Sequence, residues 1–143
     1  MDKLYIVYWS GTGNTKEMAE YIASGVKEEG KIAELVDVSA ISPDELEDYN
    51  VFALGCPAMG DEELDYDSME PFVSSLEGKV TGKHLLLFGS YDWGDGEWMR
   101  NWVERMRSAG AYIVGDEGLI INNSPDKEGI KKCVEAGKSL ARL

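Results

Sequence analysis

The chain has 143 residues, of which 43% are apolar and 16 are glycines, and this suits one domain with a full core and frequent turns. Its formal net charge is −13, which argues against a nucleic acid or an anionic membrane surface as partner, because both attract clusters of Lys and Arg. Neither a transmembrane run nor a signal-peptide pattern is visible, so we expect a cytoplasmic protein.

Short apolar strands alternate with amphipathic helices along the chain. The predicted elements are, in order, a strand at Leu4 to Trp9, a helix at Asn14 to Glu29, a weaker strand at Ile32 to Val36, a short helix opening at Ser42, a strand at Val51 to Gly55, a helix at Ser68 to Leu76, a strand at His84 to Gly89 and a helix at Glu97 to Ala109. Residues 112–121 follow as one strand or as two pieces separated by residues 115–118, and a last helix runs from Asp126 to Leu143.

This alternation predicts the fold class. Consecutive strand–helix–strand units make right-handed crossovers and a mostly parallel sheet, and no low-complexity linker divides the chain. We therefore expect one α/β domain over residues 1–143, a doubly wound five-stranded parallel sheet with helices on both faces. Such a sheet binds its ligand beyond the carboxyl ends of its strands, so residues 10–15, 56–67 and 90–96 form the candidate site.

The first loop, Ser10-Gly11-Thr12-Gly13-Asn14-Thr15, lies between a strand and a helix. Glycines let backbone N–H groups approach an anion, the helix N-terminus adds a favourable dipole, and four side chains add neutral donors. The loop lacks the Lys-Ser/Thr of a Walker A motif, and Lys16 stands where a dinucleotide fingerprint has its third glycine. It therefore favours a phosphate held by uncharged donors, and the alternative is a polar turn that only caps the helix.

The other two loops carry residues suited to an aromatic ligand. The second, Cys56-Pro57-Ala58-Met59-Gly60-Asp61-Glu62-Glu63, contains a polarisable Met and a conformationally free Gly, and its alternative interpretation is a mobile acidic turn. The third, Ser90-Tyr91-Asp92-Trp93-Gly94-Asp95-Gly96, holds a Trp between small residues, which is a poor core position unless the ring folds back. By contrast, Trp98 and Trp102 have helical spacing and are interpreted as packing residues.

Taken in order, the three motifs resemble those of short-chain flavodoxins of the clostridial and Megasphaera type, over nearly the whole chain. The resemblance implies a strand order of 2-1-3-4-5 and a non-covalently bound FMN, with its phosphate on Ser10 to Thr15. It also implies that Met59 and Trp93 lie on the two faces of the flavin ring. The Gly60 peptide would flip on reduction so that its carbonyl accepts from the flavin N5–H, and Glu62 would accept from the flavin N3–H.

The resemblance further implies a function: a low-potential one-electron carrier, not an enzyme, cycling between semiquinone and hydroquinone. We expect a monomer that serves ferredoxin-dependent reductases and oxidoreductases through basic patches on those partners, because the chain itself is acidic. The remaining residues assigned to the cofactor are Pro57, Ala58, Asp61, Ser90, Tyr91, Asp92 and Gly94. The alternative function is a small flavin-dependent reductase or quinone oxidoreductase.

Asp92 departs from the family pattern, which has Gly at this position. An added carboxylate beside the flavin N1 edge raises the cost of negative charge on the reduced ring. A receiver domain of the same topology is disfavoured, because the third strand ends in Leu54-Gly55-Cys56 without an acceptor Asp. No metal site is expected from Cys56, Cys133 and His84, and both cysteines are interpreted as buried residues.

Overall fold

The computed structural model describes residues 3–143, so Met1 and Asp2 of the predicted domain lie outside the described residues. Strands and helices alternate along the described chain. In order they are β1 (Lys3–Tyr8), α1 (Asn14–Glu28), β2 (Ile32–Asp37), two short 3-10 turns (Val38–Ala40 and Pro43–Leu46), β3 (Val51–Gly55), α2 (Met69–Leu76), β4 (His84–Tyr91), α3 (Glu97–Ser108), β5 (Tyr112–Ile113), β6 (Leu119–Asn122) and α4 (Lys127–Ala141).

All strand pairs in the sheet are parallel, and the order β2-β1-β3-β4-β5 confirms the prediction. The fifth position is shared by two pieces, because β5 pairs with the start of β4 and β6 pairs with its end. Between them the chain turns: the N–H of Asp116 donates to the Ile113 carbonyl at 3.0 Å, and Gly115 and Asp116 have φ of 78° and 67°. The sequence left open one strand or two pieces after residue 112, and this turn divides the segment into the two strands β5 and β6.

The short helix at Ser42 and strand β4 differ in kind or length from the sequence prediction, and several other bounds differ by one or two residues. The short helix expected at Ser42 is a single 3-10 turn, Pro43–Leu46, in which Ser42 and Glu45 cap each other reciprocally. Strand β4 continues past Gly89 to Tyr91, because Ser90 and Tyr91 pair with Ile121 and Asn122 of β6. Ser90 and Tyr91 therefore stand on a strand end and not on a loop.

Helices cover both faces of the sheet. One core lies under α2 and α3 and contains Trp98 and Trp102, which are 2% and 1% exposed and are packing residues as predicted. The other core lies under α1 and α4, around Ile22 and Phe88. The two layers cover the faces of the sheet and leave open the loops at the carboxyl ends of its strands, where sheets of this kind bind their ligands.

Three simpler features of the described chain concern metal sites, membrane spans and cysteines. Among residues 3–143, no group of three His, Cys, Asp or Glu side chains could hold a metal ion, and no helix there is long and apolar enough to cross a membrane. Cys56 and Cys133 are both buried and unpaired. Burial raises the pKa of the Cys56 thiol to about 12, so it does not provide a thiolate at neutral pH.

Candidate functional site

The loops after β1, β3 and β4 meet in one cleft of about 230 Å³ at the carboxyl edge of the sheet. Parallel strands bring their carboxyl ends to the same edge, which is why segments far apart in sequence become neighbours. The cleft is lined by Gly11, Thr12, Asn14, Pro57, Ala58, Met59, Ser90, Tyr91, Asp92 and Asn123. All of these except Asn123 are residues that the sequence assigned to the cofactor.

The first loop turns tightly into α1. Gly13, at φ 100°, is the N-cap of the helix, and Ser10 Oγ accepts from the N–H groups of Gly13 and Lys16 at 3.1 and 3.2 Å. Ser10 therefore caps the helix start, as in the alternative interpretation of this loop, and its own O–H remains a donor. Thr12 is exposed and Asn14 is half-buried. The loop presents neutral donors and the positive end of α1, a set that suits a phosphate.

Thr15 differs from the rest of the first loop. It is 1% exposed, the only buried residue among 10–15, and its Oγ1 lies 2.9 Å from Ser90 Oγ. The N–H of Ser90 also donates to Thr15 Oγ1 at 3.2 Å. These two bonds attach the first turn of α1 to the end of β4.

The second loop is closed by a pair of backbone hydrogen bonds. Met59 and Glu63 exchange N–H···O bonds of 2.8 Å in each direction, so residues 59–63 form a compact turn. Gly60 at its tip is exposed, has φ 50°, and would carry a Cβ with nothing within 4 Å. The turn therefore has free space on its outer side, at the Gly60 peptide that the resemblance expects to flip, whereas the Met59 carbonyl is held by the Glu63 N–H.

Glu62 connects the second loop to the third. It takes φ 58°, is 9% exposed, and its Oε1 accepts from the N–H of Gly96 at 3.2 Å. Gly96 is the N-cap of α3, so the carboxylate lies at the positive end of a helix. One oxygen of Glu62 is thus engaged within the protein, and the second loop is held in a fixed relation to the third.

The third loop leaves its tryptophan in solvent. Trp93 is 62% exposed, so the alternative in which this ring folds back onto the core is wrong. Tyr91 packs toward the core instead, with its ring centroid 5.8 Å from that of Trp98. Asp92 is exposed and is not among the non-glycine residues with positive φ, so the backbone at this position does not require the family's glycine.

A fourth segment, after β6, was missed by the sequence analysis. The N–H of Asn123 donates to the Tyr91 carbonyl at 2.8 Å, and Asn122 Nδ2 donates to the carbonyls of Tyr91 and Asp92 at 3.3 Å. Asn123 has φ 58° and lines the cleft. The sequence pattern that could have predicted this segment is Asn122-Asn123-Ser124-Pro125, a polar turn at the carboxyl end of a strand.

The charge of the cleft differs between its two ends. Residues 10–15 contain no acidic side chain, whereas Asp61, Glu62 and Asp92 lie in the loops that carry Met59 and Trp93. An elongated ligand with a phosphate at one end and an aromatic ring at the other fits this arrangement in one orientation only. FMN has that shape and charge, so the residues present fit the cofactor that the sequence resemblance implies.

Comparisons with known proteins agree with this site. The model of the flavodoxin family matches residues 6–137. The chain is 49% identical to the flavodoxin of Clostridium beijerinckii over 96% of this chain and 99% of that protein, and 44% identical to the flavodoxin of Megasphaera elsdenii over 96% and 97%. The solution structure of two-electron reduced M. elsdenii flavodoxin superposes with a TM-score of 0.90 at 43% identity, covering 98% of this chain and 99% of that one.

Proposed function

Because the chain belongs to the flavodoxin family, we propose that it passes single electrons between other redox proteins by means of one non-covalently bound FMN. Flavodoxins are electron-transfer flavoproteins and not enzymes, and their cofactor is FMN. The chain is therefore a small FMN-binding electron carrier. The whole length, residues 1–143, acts as one cofactor-binding domain in this proposal.

The observation that carries the proposal is the cleft at the carboxyl edge of the sheet, which brings three loops together with their charges separated. Ser10 to Thr15 serve the phosphate, and Met59 and Trp93 lie on the two faces of the ring. Five of the other assigned residues line the cleft, namely Pro57, Ala58, Ser90, Tyr91 and Asp92, and the remaining four, Gly60, Asp61, Glu62 and Gly94, lie in the loops around it. Asn123 joins this set as a wall residue.

The protein's contribution to the electron chemistry is electrostatic. FMN supplies the one-electron steps, and the surrounding residues set how readily each occurs. Carboxylates at Asp61, Glu62 and Asp92 disfavour negative charge on a ring bound between them, which makes the last electron the hardest to add. A mobile Gly60 peptide lets a carbonyl turn toward the ring when a proton arrives there. The carrier accordingly works between semiquinone and hydroquinone, at low potential.

Charge and exposure support the choice of partner. The net charge of −13 attracts proteins with basic patches, and Trp93 and Tyr66, which are 62% and 81% exposed, lie on the loops beside the cleft. The proposed partners are therefore ferredoxin-dependent reductases and oxidoreductases that carry basic patches. We expect the carrier to meet them as a monomer in the cytoplasm.

One set of spectra tests the function. The purified apoprotein should quench FMN fluorescence on binding, and stepwise dithionite reduction should pass through a neutral blue radical before bleaching. Addition of NADPH or NADH alone should leave the oxidised spectrum unchanged. Rapid bleaching by a nicotinamide would favour the alternative, a flavin-dependent reductase or quinone oxidoreductase, and a protein that takes up no FMN would contradict both.

A further inference from the structure

The pair formed by Thr15 and Ser90 is a buried polar contact between the first turn of α1 and the end of β4, beside the cleft. Thr15 is 1% exposed and Ser90 is 4% exposed, and their hydroxyl oxygens are 2.9 Å apart. The residues are 75 positions apart in sequence, so the contact is a product of the fold and not of local geometry. Buried hydroxyls need partners, and here each is the other's partner.

Ser90 is also fixed by its backbone. Its N–H donates to Thr15 Oγ1 at 3.2 Å, and its carbonyl accepts from the N–H of Ala58 at 3.0 Å. Ser90 therefore contacts the first turn of α1 through Thr15 and the second loop through Ala58, and it stands at the end of β4, just before the third loop. It is the residue at which all three loops of the cleft meet.

The number of donors and acceptors restricts what Thr15 can do. A hydroxyl oxygen has two lone pairs and one hydrogen. The Ser90 N–H occupies one lone pair of Thr15 Oγ1, and the Ser90 hydroxyl is either the donor to the second lone pair or the acceptor of the Thr15 hydrogen. If Ser90 accepts that hydrogen, Thr15 has no donor left for an anion. If Ser90 donates, both lone pairs of Thr15 are filled and its hydrogen is free.

We propose that Ser90 is a positioning residue for phosphate binding, which acts by donating its hydroxyl to Thr15 and so directs the Thr15 O–H toward the phosphate. This inference rests on the proposed FMN site. A phosphate dianion only accepts hydrogen bonds, so its arrival selects the state in which Ser90 is the donor. The chain Ser90 O–H, Thr15 O–H, phosphate is then continuous, and each bond in it polarises the next.

The test is a double-mutant cycle measured by FMN and riboflavin binding to the apoprotein. Riboflavin lacks the phosphate, so its affinity measures binding of the ring and the ribityl chain without the phosphate contact. Thr15→Val should weaken FMN binding about 10- to 100-fold, as expected for a lost bond to a charged group, and Ser90→Ala about 3- to 10-fold. Riboflavin affinity should change less than about twofold in both variants, and Ser90→Ala added to Thr15→Val should have no further effect.

Two further variants guard against a folding artefact. Thr15→Ser keeps the hydroxyl and should bind FMN within about threefold of the unmodified protein. Ser90→Cys keeps the size of the side chain but has only a weak S–H donor, so it should reproduce the loss of FMN affinity if Ser90→Ala does not fold.

The outcomes separate this inference from the proposed function. Additive losses in the cycle would overturn the inference, and so would an equal loss of riboflavin affinity in Ser90→Ala, which would mean direct contact with the ribityl chain. An unmodified apoprotein that binds riboflavin and FMN equally weakly would overturn the FMN site itself, and the inference with it.

Discussion

Glu62 accepts a hydrogen bond from the backbone N–H of Gly96 over 3.2 Å, and this contact joins the second loop of the cleft to the N-cap of α3. A buried carboxylate at a helix N-terminus is stabilised there by the helix dipole. The same carboxylate stands in the loops proposed to surround the flavin. Its charge therefore acts on two properties at once, the packing of the loops and the electron affinity of the cofactor.

Glu62→Gln separates these two properties. The amide oxygen can still accept from Gly96, so we expect the free energy of unfolding to change by no more than about 1 kcal/mol. Because one negative charge beside the ring is lost, the second electron should be easier to add, and the second reduction potential should become less negative. Redox titration against reference dyes measures this shift. A second potential that stays constant would show that Glu62 lies too far from the ring to act on it, and a more negative one would contradict the charge argument.

Asp92 provides an independent test of local charge. Asp92→Gly restores the family's residue, and it should make the second reduction step easier, because a carboxylate near the N1 edge of the ring is removed. Asp92→Asn is the matched variant, since it removes the charge and keeps the size of the side chain. The backbone here does not require glycine, so both variants should shift the potential equally. If the second reduction potential shifts in Asp92→Gly but not in Asp92→Asn, the cause is the backbone conformation and not the lost charge.

The contact between α1 and α4 predicts a large effect on stability. A Cβ on Gly137 would lie 2.0 Å from the carbonyl oxygen of Ile22, closer than two atoms can approach without moving the helices. Gly137→Ala should therefore lower the free energy of unfolding by about 2–3 kcal/mol, although alanine favours helix. Gly78→Ala is the control, because a Cβ there meets nothing within 4 Å. Equal urea midpoints for the two variants would refute the packing argument.

The pairing of Glu70 with Arg105 predicts a pH-dependent contribution to stability. Glu70 accepts two hydrogen bonds from Arg105, at 2.8 and 2.6 Å, and these lower the pKa of its carboxyl below the ordinary 4.5 against the opposing effect of burial. Because the folded pKa is the lower one, the stabilisation is complete above pH 4.5 and is lost as the pH falls through the folded pKa.

Glu70→Gln should consequently lower the free energy of unfolding by about 0.5–1 kcal/mol at pH 7, a value limited by the solvent exposure of the pair. The difference from the unmodified protein should narrow as the pH falls below 4.5 and through the lowered pKa of Glu70. Urea unfolding at pH 7 and over a series of pH values below 4.5 measures it. Glu104→Gln, at an exposed position on α3, should show no comparable narrowing. A constant difference for Glu70→Gln across this range would mean that the ion pair is not its cause.

Local sequence determined much of this protein. The sequence predicts most of strand β4, from His84 to Gly89, because an apolar run of that length is typical of a strand buried on both faces of a parallel sheet. It predicts α1 because apolar residues recur there at helical spacing. The phosphate-type loop at Ser10 to Thr15 is likewise local, because its donors belong to consecutive residues between one strand and one helix. These features depend on residues that are close together in the chain, so the local pattern of residue types predicts them.

Tertiary structure decided what depends on distant residues. Only the packing of β6 beside β4 makes Asn123 a wall of the cleft, and only the meeting of the second and third loops assigns Glu62 to Gly96. From the sequence, Thr15 is predicted to be one more donor of the first loop, but the fold buries it against Ser90. A hydroxyl or carboxylate can bond to any donor that the fold brings within reach, so its partner is fixed by the arrangement of strands and not by its own neighbours.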